Sequence, residues 1–313
     1  MTRITFPLSV LAIALVGLLH AVPAQAQPIR VFVALTGSDA NACTFASPCK
    51  SVQHAHDVVA AGGEVRMLDP GSYGLLAINK SISILGDGHG GIAAQNNAVA
   101  ITINAGATDK INLRGLVLEG FGAGNRGIVF NTGASLNIQD SIIRNFTNGG
   151  IYFAPTASSE LSVLDTLISD IGGHAIEVHP FGSGSATGAV DRVRTVNSTG
   201  DGMAFNGAGS TGTIVFTVSD SLMANNTNYG IIASSSAGTI NVMIENCTMS
   251  NNAFVGVNAT GSAATLRVAR SRITGNVTGW TFLGGATLSS YGDNYVDGNG
   301  ASGSPSATIL LLH

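Results

Sequence analysis

From residue 111 onward the hydrophobic positions recur in short alternating runs separated by polar corners. The segments Leu136–Asn145, Leu161–Asp170, Phe216–Asn225 and Val242–Asn251 can be laid over one another. Each has an alternating strand, a polar corner, a second short apolar pair and a closing Asn or Asp. Five residues beyond each closing residue, a small side chain opens another strand: Gly150, Ala175, Gly230 and Gly256, with Gly127 and Gly202 in the same place. The steps from Gly127 are 23, 25, 27, 28 and 26 residues. Strict alternation over so few residues reads as strand, and a fixed period of this length reads as stacked repeats. Leucine-rich repeats of similar length need a phrase that is absent here, and propeller blades are longer. A parallel β-helix pairs each coil only with its neighbours, so equivalent side chains stack. The class is therefore all-β, a parallel solenoid. Gly, Asn and Asp suit its bent corners, and Ile, Val and Leu fill its narrow interior. The recurring Asn145, Asn197, Asn225 and Asn251 are placed to form a ladder, each amide bonding to the next coil, because a buried amide needs a partner.

The N-terminal part differs. Residues 1–26 read as a signal peptide: Arg3, an apolar run from Leu8 to Leu19, and an A-x-A site ending at Ala26. The run is shorter than the roughly 20 residues needed to span a bilayer. Residues 27–74 read as a cap with the first strands. They hold a strand at Ile29–Val33 and a helix capped by Ser51 that runs to about Ala60 and ends at Gly62-Gly63. The helix is expected to close the open end of the core, since terminal repeats otherwise leave unpaired edges. Strands follow at Val65–Leu68, Leu76–Ile78 and Ile82–Leu85. Residues 75–313 form the coils, ending in an apolar strand at Ala307–Leu312.

Composition narrows the function. Gly makes up 41 of 313 residues, charged residues only 10%, and the net charge is −4, so no basic surface for nucleic acid is present. Apolar residues at 45% supply a core that a disordered chain would lack. Cys43 and Cys49 flank a short loop, and in an exported chain they are expected to form a disulfide. The alternative is a metal pair, but the spacing matches no common metal motif. Cys247 lies inside a repeat and reads as a small buried side chain.

Val33–Lys50, Gly62-Gly63, Asp69–Gly74 and Asn104–Gly115 together resemble bacterial exported proteins of the right-handed parallel β-helix, pectin-lyase-like superfamily. The resemblance implies a right-handed parallel β-helix with an N-terminal capping helix. It also implies a secreted or periplasmic location and no stable membrane insertion after signal cleavage. Members include pectate lyases, polygalacturonases, other polysaccharide lyases and proteins with no assigned chemistry, so it specifies fold more than activity. Lyases of this kind use clustered carboxylates for calcium. Here Asp140, Asp165 and Asp220 stack at equivalent corners, with Arg192 at the matching place and Glu245 close to it in the following coil. They could hold a calcium ladder, or cap the corners by bonding to backbone amides. The polygalacturonase motifs are absent, and Gly173-His174-Ala175 approaches one of them only loosely.

The best constellation uses the strand row anchored by the small residues. Counting outward by period two, Tyr152 and Glu177 stack on one line and His179 and Asn206 on another. Arg126, His174, Asp201 and Tyr229 stand just before the anchors. His174, Glu177, His179 and Asp201 are the candidate catalytic residues for acid–base work on a glycan. Arg126, Tyr152, Asn206 and Tyr229 are candidate ligand contacts. The same groups could also be a solvated strand face. No metal site and no cofactor is assigned. The reading is an exported cell-envelope protein that binds polysaccharide or serves as a structural or interaction partner of envelope components, without turnover. The alternative is a polysaccharide lyase or glycosidase acting on an acidic glycan.

Overall fold

The computed structural model describes residues 27–308. The expected signal segment, residues 1–26, and residues 309–312 of the expected last strand lie outside them. The described chain is a parallel β-solenoid. Its first face is a 12-stranded sheet running from Arg30–Val33 to Ala307–Thr308. A second face stacks short strands such as Leu167–Ser169, Arg194–Val196 and Leu222–Ala224. A third stacks His174–Val178, Met203–Asn206 and Tyr229–Ser234. Strands form at Leu76–Ile78 and Ile82–Leu85 as expected, and the one expected at Val65–Leu68 spans Gly63–Met67. The last described strand pairs through Ser289 with Ala307 and Ser290 with Thr308.

The core is built from rows in strict register. Leu113, Ile138, Val163, Val190, Val218, Ile244 and Val268 follow one another on the first face, all buried. Ile128, Ile151, Ile176, Met203, Ile231 and Val257 do so on the third. Burying such side chains contributes roughly 1.5–3 kcal/mol each relative to exposure. That gain is available only when consecutive coils keep the same phase.

Two of the three corners between the faces use the left-handed region. Asp140, Asp165, Arg192, Asp220, Asn246 and Arg270 turn the first corner at φ between 47° and 52°. Asn145, Asp170, Asn197, Asn225 and Asn251 turn the second at φ between 55° and 61°. Asn and Asp tolerate this backbone better than other side chains. The expected Asn ladder is therefore displaced by one position. Asn145 and Asn197 bond instead to Glu119 and Asp170. The residues after the second corner point inward, and the buried ladder is Asn226, Asn252, Asn276 and Asn299, each Nδ2 donating to the next Oδ1 at 2.9 Å. The strand anchors make room for it. A Cβ on Gly230 would lie 2.9 Å from Asn252 Nδ2, and one on Gly202 would lie 3.0 Å from Asn226 Nδ2.

A hydroxyl ladder follows the first corner. The backbone amides of Leu116, Val193 and Cys247 donate to the hydroxyls of Ser141, Ser221 and Ser271. Cys247 occupies one of these positions, its thiol reaching the Glu245 carbonyl at 3.2 Å. Burial pushes that thiol up to about 12, which keeps it protonated and makes it a poor nucleophile.

The helix α1, Val52–Val58, closes the N-terminal end and stops short of Ala60. Ser51 Oγ accepts from the His54 amide, and the Asp39 carboxylate accepts from Ser51 Oγ at 2.7 Å. Val52 and Ala55 enter the core. Cys43 and Cys49 form a disulfide with Cα atoms 4.6 Å apart, beside this helix.

Candidate ligand-binding site on the third face

The register places the expected residues side by side. Arg126 pairs with Gly149 and Gly149 with His174. Tyr152 pairs with Glu177, and Glu177 with Ala204. Asp201 follows on the next coil, where its carbonyl accepts from the Ala175 amide. The inward partners Ile151, Ile176 and Met203 are buried, so the alternation aims the intervening side chains outward.

Two acid–imidazole pairs result. His174 Nδ1 lies 2.9 Å from Asp201 Oδ2 and 3.3 Å from the Asp201 amide. The shorter carboxylate contact favours a proton on Nδ1. Asp201 is almost fully buried and also accepts from the Tyr229 amide at 3.2 Å. The hydrogen bond to Asp201 raises the His174 pKa against the opposing effect of burial. His179 Nδ1 lies 3.3 Å from Glu177 Oε1, and its Nε2 donates to the Ala208 carbonyl at 2.9 Å.

Aromatic rings flank both pairs. The Arg126 guanidinium lies 4.0 Å from the Tyr152 ring centroid, in cation–π contact. The Tyr152 and His179 rings are 6.3 Å apart edge to face. Burial and the Glu177 charge raise the Tyr152 pKa, and burial and Asp201 raise that of Tyr229. Asn206 takes another role. Its Oδ1 accepts from the Ala208 amide, which shapes the turn that holds the carbonyl of Ala208 against His179.

Sequence reasoning missed two rings here. Phe181 stacks 4.3 Å from His179, and Phe254 packs 5.3 Å from Tyr229. Both are exposed. Exposed Phe so close to the inferred rows was the available signal. A second miss is the cluster of Glu119, Phe121 and Arg144 on the second face. Glu119 pairs with Arg144, and Arg126 with Gly149, so the first coil spends seven steps where the next spends five. That excess was visible in the spacing before Gly127.

The stacked acids of the first corner do not cap backbone amides. Arg114 Nε donates to Asp140 at 3.0 Å, and Arg192 makes a two-pronged contact to Asp165 and also pairs with Asp191. Asn246 donates to Asp220, and Arg270 pairs with Glu245. Corner turning needs only the αL backbone, which frees these side chains to bond between coils. Among the described residues, Cys43, Cys49 and His54 bring potential ligand atoms within 4.8 Å of one another, but the two sulfurs are bonded to each other.

A solenoid with in-register coils and ladders of asparagines and hydroxyls defines a parallel β-helix protein. The family described as "right handed beta helix region" matches residues 126–301, and the chain belongs to it. No curated protein matches the chain in sequence. Among solved structures, it resembles the pectate lyase Pel9A with a TM-score of 0.62 at 14% identity, covering 87% of this chain and 79% of that one. It also resembles the A-module of the Azotobacter vinelandii mannuronan C-5 epimerase AlgE4, with a TM-score of 0.50 at 13% identity, covering 83% and 94%. At such identities the likeness is one of fold: the β-helix is related to those of polysaccharide lyases and epimerases. No helix of the described residues is long and apolar enough to cross a membrane.

Proposed function

We propose that this chain is an exported polysaccharide-binding protein whose ligand lies on the third face and carries acidic groups. One observation carries this reading. The His174–Asp201 and Glu177–His179 pairs share a surface with Arg126, Tyr152 and Tyr229, on a chain that is only 10% charged. Stacked rings offer apolar sugar faces a flat partner, and Arg126 offers a fixed cation. Binding without turnover is favoured because both acids and both imidazoles already bond to one another or to backbone. Glycans acted on by the similar proteins, pectate and mannuronan, are the first to test. Calorimetry with these and with neutral glucans is expected to show binding of a polyuronate, weakened at least tenfold by Tyr229→Ala. Equal binding by parent and variant would remove the face from consideration.

A second reading has a specific support. His174 is 37% exposed and held at Nδ1 by Asp201, and its Nε2 has no partner among the described residues. An imidazole oriented in this way could exchange protons with a substrate. Turnover would appear as new reducing ends or unsaturated products across pH 5 to 9. Their absence with every bound glycan would leave the binding reading alone.

A further inference from the structure

Phe121 is a bulky side chain in the left-handed region, at φ 51°, and is 61% exposed. Such backbone is costly for an aromatic residue and persists only where its surroundings impose it. They do so here. Residues 120–123 bulge out opposite the single Asn145, between the pairs Glu119–Arg144 and Gly124–Phe146. Gly120 crosses so near the neighbouring coil that a Cβ there would lie 2.3 Å from the Asn145 carbonyl oxygen. The buried Glu119 carboxylate clamps the bulge, accepting from the Phe121 amide at 3.0 Å, Asn145 Nδ2 at 2.7 Å and Arg144 Nε at 2.6 Å. Burial alone would raise the Glu119 pKa, but these donors outweigh it and hold it low. The protein thus fixes a strained, exposed ring beside a half-exposed guanidinium whose two Nη atoms have no partner among the described residues. Both residues line a cleft of about 280 Å³ whose other walls include Ser72, His89 and Ile92.

The bulge also borders a second cleft, of about 350 Å³, at the second corner. Gly122 is shared by its wall, which continues through Asn145, Thr147, Asp170, Asn197 and Thr199. Thr147 and Thr199 stand two residues before Gly149 and Asp201, where the third face begins. Polar side chains on this wall therefore lead from the Phe121 bulge around the corner to the edge of the third face.

We infer that the Phe121 cleft is a second saccharide subsite, taking an anionic sugar ring that stacks on Phe121 and pairs its carboxylate with Arg144. The polymer then crosses the solenoid around its second corner and does not run along the axis. This subsite rests on the glycan reading of the third face. A ligand that engages both sites gains from linking them, by a factor of about 10² or more for well-matched spacing.

The test uses the full chain, a galacturonate trimer and a galacturonate decamer, with Phe121→Ala, Phe121→Gly and Arg144→Gln. The parent is expected to bind the decamer at least tenfold more tightly than the trimer. Both Phe121 variants should remove that difference and leave trimer binding unchanged. Phe121→Gly removes the αL strain, so its melting temperature should equal or exceed that of the parent, which separates lost contact from lost folding. Arg144→Gln should weaken the decamer and leave a neutral oligomer of the same length unaffected. If both Phe121 variants bind the decamer as the parent does, the subsite is refuted while the third-face reading survives. If the parent binds neither galacturonate probe, the subsite is refuted as a galacturonate site, and the third-face reading stands or falls on the mannuronan arm of the calorimetry.

Discussion

His174 is raised in pKa chiefly by its bond to Asp201, and Asp201 has few other places to put its charge. The free imidazole titrates near 6.5. The stability this pair contributes is fully present below that value, and it is lost as the pH rises through the higher folded value. The same proton matters to an anionic ligand, because its loss leaves Asp201 uncompensated on the binding face. NMR titration should place the His174 imidazole above 6.5 in the parent and return it towards that value in Asp201→Asn. Affinity for a polyuronate should fall as the pH rises through the His174 titration, and at a higher pH in the parent than in Asp201→Asn. An unchanged His174 titration in Asp201→Asn would remove the pair as the cause. At this scale the candidate residues on the third face were legible, because Gly127, Gly150, Ala175, Gly202, Gly230 and Gly256 announce the register that aligns them. Phe121 was not. Glycines flank it, and no alternation marks a residue whose exposure comes from an inserted bulge.

The ladder of Asn226, Asn252, Asn276 and Asn299 works as a single element across coils. Asn252 uses its full capacity: Nδ2 donates to Asn276 and to the Met223 carbonyl, and Oδ1 accepts from the Asn226 amide and side chain. Removing it leaves buried partners above and below unsatisfied, each at a cost of about 1–3 kcal/mol. Asn252→Ala should therefore destabilise the fold by several kcal/mol in urea unfolding. Asn251→Gly, at the neighbouring corner, should cost little, since Gly accepts the same backbone. Equal losses would mean that the buried amide has no special role. The doublets Asn225-Asn226 and Asn251-Asn252 explain why the ladder's exact position was not legible. Two adjacent asparagines satisfy two different demands, an αL corner and a buried amide, and composition cannot assign them. The strands at Leu76–Ile78 and Ile82–Leu85 were legible because alternation and flanking turns agree there.

Over the whole molecule, stability in a solenoid is a sum of coil and interface contributions. The cap belongs to one end: α1 meets Arg30–Val33, Gly63–Met67 and Leu76–Ile78. Reduction of Cys43–Cys49 should accordingly be felt locally. Hydrogen exchange after reduction is expected to speed up in residues 30–78 while the amides of 213–274 keep their protection. Uniform loss of protection would show that the coils melt as one unit.

The bulge at residues 120–123 has a consequence for how such a chain can change over generations. Two additional residues enter the chain there, yet by Gly149 the pairing with Arg126 has resumed and the rows that follow are in phase. The corner absorbs the insertion within a single coil and passes none of it downstream. New surface can therefore be added at one level of the stack without revising the levels beneath it, whereas one extra residue inside Leu161–Leu164 would turn an interior row outward. The corner between the third and first faces already varies in this way, running from Phe153 to Ser159 in one coil and from Phe205 to Ile214 in another, and diversification should accumulate at such corners, coil by coil, over a core that records none of it.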